Sequence, residues 1–265
     1  MNKDIEDLLK LLDDDNQQSA SLVIAELLKR EPEIDSILQG LQETENPKIR
    51  KRVHQIQSIL TTRRRRRNLS RNLAIKNTEL INGFVQLHMQ WYDNDSEPAI
   101  SKLWTDFIKS SEKYHTDNIE RLARFMRKVG FTVASRDEME PDHYCLGIVL
   151  EEFTGADPLI CAVTRELAAL RGLNLKIIQV MGDFALMAPD GKILIPKNGW
   201  KIAEASSIGE FMEWDNTMLL RMAASVLFLC AVNTDSFRYI HTIGSCLAKT
   251  ARKNTLEFLP YPYNS

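Results

Sequence analysis

The chain has 265 residues, 44% of them hydrophobic and 26% charged, which is typical of a soluble globular protein with an ample core. Its formal net charge of −2 excludes a strong overall attraction to nucleic acids or anionic membranes. The acidic segment MNKDIEDLLKLLDDD lacks the apolar stretch of a secretory signal. We therefore expect a cytoplasmic protein.

The cysteines support the same expectation. None of the four, Cys145, Cys161, Cys230 and Cys246, belongs to a CxxC pair or another close metal-binding spacing, and each has apolar neighbours. Reduced thiols in the protein core are therefore predicted, with no metal and no cofactor. The apolar run AASVLFLCAV, residues 223–232, is too short to span a bilayer and predicts a buried helix.

Residues 4–60 contain two similar halves. Residues 4–30 and 34–60 each place apolar side chains at helical spacing on both sides of a polar break. The breaks, LLDDDN and TENPKIRKR, resemble the turns between the helices of HEAT-like repeats. We expect two helix pairs, forming a HEAT-like domain over residues 1–62.

A basic run follows this domain. It consists of Arg63, Arg64, Arg65, Arg66 and Arg67. The run could contact nucleic acid, or it could be a solvated helix end or linker that complements the acidic N-terminal segment. The second interpretation is favoured, because no aromatic residues are interleaved with the arginines. We expect the run to be exposed and its replacement by serine to leave the melting temperature nearly unchanged.

Residues 63–130 are predicted to be a helical linker. The segment 72–92 has one apolar helical face, residues 93–96 interrupt it, and two further helices extend to Gly130. His88 and His115 fall on predicted helices without a partner four residues on. We interpret both as structural residues.

Residues 131–205 change in character. A helix is expected to end at Gly155, and a second one to begin with Asp157 as its N-cap and Pro158 at the first position. The stretch GDFALMAPDGKILIP then predicts a hairpin turning at residues 189–191. A small antiparallel sheet within residues 131–202 would pack on that second helix. Residues 206–265 are predicted to be mostly helical again, so the fold class is α+β and predominantly helical.

Landmarks between Val129 and Met187 resemble the SirB-type transglutaminase-like family. They are Gly130-Phe131, Val149-Leu150-Glu151, Gly155, Arg171-Gly172-Leu173 and Gly182 with Phe184. The resemblance implies a transglutaminase-like or papain-like core over residues 131–205. It also implies HEAT-like helices before the core and TPR-like helices over residues 206–265.

The chain departs from the family at the positions that carry catalysis. The resemblance implies that the nucleophile position is occupied by Asp157, the strand histidine by Asp183 and the following aspartate by Ile195. A thiolate needs a base, and the base needs an orienting acceptor. An ordinary carboxylate is a poor base at neutral pH, and an isoleucine orients nothing. The triad is therefore predicted to be lost.

Two functions follow as hypotheses. The first is a non-catalytic transglutaminase-like module that binds or regulates another protein or peptide, with Asp157 and Asp183 as candidate binding residues. The second is a cysteine-dependent hydrolase or acyltransferase with a rearranged site made of Cys161, His143 and Asp183. Cys161 is also expected to be a small core residue among apolar neighbours, and we favour that interpretation. Binding to nucleic acid through the basic run is the least favoured function.

Overall fold

The computed structural model describes residues 3–75, 78–135, 137, 140–207 and 209–250. The last part of the predicted C-terminal helical segment, residues 251–265, lies outside these ranges. The chain divides into two compact units, residues 1–65 and residues 66–265. As expected, helices predominate, and an antiparallel sheet is inserted between helices.

The first unit confirms the two predicted helix pairs. They are formed by α1 (Lys3–Lys10) with α2 (Gln17–Leu27), and by α3 (Glu31–Gly40) with α4 (Pro47–Ala74), which continues into the second unit. The similarity of the two halves extends to the caps. The side-chain oxygen of Asn16 accepts the backbone N–H of Gln18 at 2.9 Å, and that of Asn46 accepts the N–H of Lys48 at 2.9 Å. Both asparagines thus begin the second helix of a pair.

The second unit contains seven further helices among its described residues. They are α5 (Leu80–Trp91), α6 (Glu97–Ser111), α7 (Ile119–Val129), α8 (Leu146–Glu152), α9 (Asp157–Ala169), α10 (Asn216–Asn233) and α11 (Phe237–Thr250). The predicted end of α7 at Gly130 is confirmed, and Asn118 caps its beginning. The Asn118 side chain accepts the N–H of Arg121 at 2.9 Å, and Gly130 ends the helix with φ +96°.

Three local predictions were wrong. Residues 72–92 do not form one helix, because α4 ends at Ala74 and α5 begins at Leu80. The helix expected to end at Gly155 already ends at Glu152, since Phe153 takes the left-handed conformation with φ 56°. His115, expected on a helix, is an exposed residue of a left-handed turn with φ 46°.

The strands form two sheets. The strands β1 (Thr132–Val133) and β2 (Thr154–Gly155) make a short parallel pair. The larger sheet is antiparallel and has the order β6-β5-β4-β3-β7. Its strands are β3 (Lys176–Val180), β4 (Asp183–Met187), β5 (Lys192–Ile195), β6 (Lys201–Glu204) and β7 (Phe211–Trp214).

The predicted hairpin is confirmed as β4 and β5. Leu186 pairs with Leu194, and Gly191 occupies the turn with φ +87°. The prediction that the sheet is confined to residues 131–202 was wrong, because β6 extends to Glu204 and β7 lies further along the chain. The β7 segment is too short to give a periodic signal, and its pairing with β3 comes from tertiary structure.

One face of the larger sheet packs on α9. Ile177, Phe184, Leu186 and Leu194 belong to the same buried cluster as the apolar side chains of α9. Helix α10 packs on α5 and α11. In the part of the chain that the structure describes, α10 is also the one helix whose length and apolar composition would suit a membrane span, and 44% of it is buried in the protein.

Candidate functional site

The N-terminus of α9 is the place where the resemblance implies a nucleophile. Asp157 is the first residue of this helix, and Ala156, not Asp157, is its N-cap, which corrects the sequence-based prediction. The Asp157 Oδ2 atom accepts the backbone N–H of Phe184 at 2.9 Å. Only 6% of Asp157 is exposed. This hydrogen bond links the beginning of α9 to the beginning of β4.

Cys161 lies one turn further along α9 and is completely buried. Burial, and secondarily the nearby Asp157, raises the pKa of the Cys161 thiol well above its ordinary value. A thiol that is protonated and inaccessible is a poor nucleophile. The structure therefore supports the interpretation of Cys161 as a core residue.

His143 lies in a short 3-10 helix, Pro141–Tyr144, just before α8. Its ring Nδ1 accepts the backbone N–H of Glu140 at 3.1 Å, which closes a capping box around this turn. Its carbonyl oxygen accepts the backbone N–H of Ala156 at 2.9 Å. These contacts give His143 a structural role beside the N-cap of α9.

Asp183 begins β4, next to the residue that Asp157 holds. Its carboxylate forms an ion pair with Lys197 at 2.8 Å. The structure thus brings the Asp157 side chain to the beginning of β4, where Asp183 also lies. It does not assemble a working thiol site there, because the Cys161 sulfur is enclosed in the core.

A cleft of about 460 Å³ opens at this N-terminus of α9. It lies between the end of β3, the beginning of β4, the end of β7 and the side of α10. Its lining is largely apolar and aromatic: Tyr144, Asp157, Pro158, Gln179, Gly182, Phe184, Trp214, Met222 and Val226. We refer to it as the α9 cleft.

The polar groups of the α9 cleft are few. Gln179 donates from Nε2 to the carbonyl oxygen of Gly182 at 3.0 Å, which closes the turn between β3 and β4. The Trp214 ring meets the Phe184 ring edge to face, with centroids 5.1 Å apart. The buried Trp214 Nε1 has no acceptor among the described residues. An apolar cleft with few polar groups is suited to binding a ligand.

Sequence reasoning identified Asp157 but missed the rest of the α9 cleft. Trp214, Met222 and Val226 reach it from chain segments remote from α9. The helical spacing of Met222 and Val226 on a predicted helix could have marked a shared face. It could not have shown that this face is turned towards the sheet.

The basic run lies in the middle of α4, not at a helix end. Arg63, Arg64, Arg65 and Arg66 are half-buried and only Arg67 is exposed, so the expected exposure of the run was wrong. Within the first unit, the Arg64 guanidinium contacts Asp35 at 2.7 Å and Glu31 at 3.3 Å. Arg63 donates to the Leu28 carbonyl at 3.1 Å. Arg63 and Arg64 are therefore bonded to carbonyl and carboxylate oxygens of the first unit, which disfavours a continuous basic face for nucleic acid.

No group of three or more His, Cys, Asp or Glu side chains is arranged to hold a metal ion in the described ranges. No family model, curated protein or solved structure matches this chain.

Proposed function

We propose that the chain is a non-catalytic binding module with a degenerate transglutaminase-like core and a HEAT-like N-terminal unit, and that its α9 cleft binds a segment of another protein. One observation carries this proposal. At the helix terminus where a thiol nucleophile would be needed, the side chain is Asp157, and it is bonded to the backbone of Phe184. The nearest thiol on the helix, that of Cys161, is buried.

The properties of the α9 cleft support binding over catalysis. Tyr144, Phe184 and Trp214 supply rigid aromatic surface, and aromatic side chains are enriched at protein–protein contacts. Met222 adds a flexible apolar side chain that adapts to different ligands. A cleft of about 460 Å³ has room for one or two side chains of a partner, not for a folded domain.

Binding at the α9 cleft is testable with a substitution that fills it. Val226 lines the cleft from α10, whereas Leu229 of the same helix is exposed on its surface. Peptides of 12 residues, selected from a random linear library on the wild-type protein, should bind Val226→Trp at least about tenfold more weakly, because the indole occupies the space of the ligand. Binding to Leu229→Trp should be unchanged. The measurement is fluorescence anisotropy of the labelled peptides.

The proposal is wrong if no peptide is selected, or if the selected peptides bind both variants like the wild type. Circular dichroism and thermal melting of each variant check that the fold is retained. A peptide cleaved or covalently attached by the wild-type protein would instead favour the hydrolase or acyltransferase hypothesis.

A further inference from the structure

The larger sheet has two edges, and they differ in character. The order β6-β5-β4-β3-β7 leaves β6 at one edge and β7 at the other. An edge strand presents unpaired backbone N–H and C=O groups along its outer side. Those groups can pair with a further extended chain.

The β6 edge carries the protection usual for edge strands. Charged side chains, Lys201 and Glu204, stand at its two ends. The β7 edge, Phe211–Trp214, has a single charged residue, Glu213, which forms an ion pair with Lys176 of β3 at 2.9 Å. Phe211 and Met212 are each exposed by more than 40%. The β7 edge therefore lacks the terminal charges that protect β6 and is open to pairing with another strand.

The β7 edge is continuous with the α9 cleft. In the sheet register, Met212 pairs with Gln179, and Trp214 pairs with Ile177. Paired residues project from the same face, so Met212 and Trp214 share the face of Gln179, which lines the cleft. A strand added beside β7 would direct every second side chain to this face. The backbone of such a strand would pair with β7, and one of its alternate side chains would enter the α9 cleft.

We propose that the ligand of the α9 cleft is an extended segment of a partner protein, which pairs with β7 as a sixth strand of the sheet and inserts one alternate side chain into the cleft. This inference rests on the proposed function of the cleft. The segment is apolar at alternate positions and has no proline where its N–H faces β7, since proline cannot donate to the new ladder. Backbone hydrogen bonds supply affinity, and the cleft selects the inserted side chain.

The experiment uses the peptides selected on the wild-type protein, resynthesised with one backbone N-methyl group at a time. In an added strand, only alternate residues turn their N–H towards the sheet. Methylation should therefore weaken binding at least about tenfold at alternate positions of the peptide and be tolerated between them. A matched pair of variants tests the edge. Met212→Lys should lower the affinity at least about tenfold, whereas Ile202→Lys on β6 should leave it unchanged.

The outcomes separate this inference from the proposed function. Peptides that respond to Val226→Trp but tolerate every N-methyl group and Met212→Lys would overturn strand addition and leave cleft binding intact. Peptides that ignore Val226→Trp contradict the proposed function itself. A protein dimer in solution that Met212→Lys dissociates would show that a second copy, not a partner segment, pairs with β7.

Discussion

His88 shows how one buried side chain links three segments of the second unit. Its Nδ1 accepts the backbone N–H of Gly147 at 3.3 Å, so the neutral ring carries its proton on Nε2, which lies 2.8 Å from Asp95 Oδ2. A Cβ atom at Gly147 would lie 2.8 Å from the His88 ring, so glycine permits this approach. Burial lowers the pKa of His88, and the neighbouring Asp95 offsets this only in part.

This environment predicts a pH-dependent stability. The pKa of His88 is lower in the folded protein than the value of about 6.5 expected in the unfolded chain. As the pH falls below that value, the unfolded chain takes up the proton first. The free energy of unfolding should therefore decrease below about pH 6.5, until the pH passes the folded pKa.

Urea unfolding between pH 8 and pH 5 measures this effect. The decrease below about pH 6.5 should be smaller in His88→Gln, which cannot take up the proton, than in the wild type. His241→Gln, at an exposed position of α11, is the matched control and should retain the wild-type decrease. Equal pH dependence in the wild type and His88→Gln would show that His88 is not the group responsible.

At the level of elements, Arg64 of α4 forms ion pairs with α3 of the same unit. Hydrogen bonding to Asp35, and to a smaller extent Glu31, raises the pKa of Arg64. Arg64→Gln should lower the free energy of unfolding by about 0.5–1 kcal/mol, because this guanidinium meets two carboxylates at a half-buried position. Urea unfolding at 0.1 M and 1 M NaCl measures the difference, which should shrink at high salt.

Arg50→Gln is the control for Arg64→Gln, since Arg50 is an exposed residue of the same helix. It should change the stability by less than about 0.5 kcal/mol. Equal effects of the two substitutions would mean that the contacts with Asp35 and Glu31 contribute nothing. This prediction replaces the sequence-based expectation that substituting the whole basic run would leave the melting temperature nearly unchanged.

Some helices and strands could be predicted from their local sequence, and others could not. The hairpin of β4 and β5 was predictable, because apolar runs flank a turn that contains Gly191. The caps Asn118 and Gly130 of α7 were also predictable, because a cap residue acts only on its own helix. Strand β7 was not predictable, because it pairs with β3, more than 30 residues earlier in the chain.

Over the whole chain, the sequence predicted the order of the helices and the sheet better than it predicted the residues of the α9 cleft. Helix pairs, a sheet that follows α9 and C-terminal helices all occur in the expected order. Asp157 was identified as a binding candidate, but its bond to Phe184 depends on how α9 meets β4. The apolar neighbours of Cys161 predicted its burial, whereas the packing of α9 shows that the thiol is enclosed. Exposure decides whether a thiol can react.

If the chain is a non-catalytic binding module, as proposed, no thiol of residues 131–205 acts as a nucleophile. The most direct test is alkylation of the native protein with iodoacetamide from pH 6 to pH 9, followed by peptide mapping of all four cysteines. Cys230 is half-buried, whereas Cys145, Cys161 and Cys246 are buried, so Cys230 serves as the internal reference. The protein unfolded in guanidinium gives the intrinsic reactivity of each thiol.

We expect Cys230 to be modified first and Cys161 to react slowly at every pH until the protein unfolds, because burial blocks access to the Cys161 thiol and holds it protonated. Modification of native Cys161 below pH 7 at a rate above that of Cys230, abolished by His143→Ala, would contradict this expectation. That result would establish an activated thiol and favour the cysteine hydrolase hypothesis.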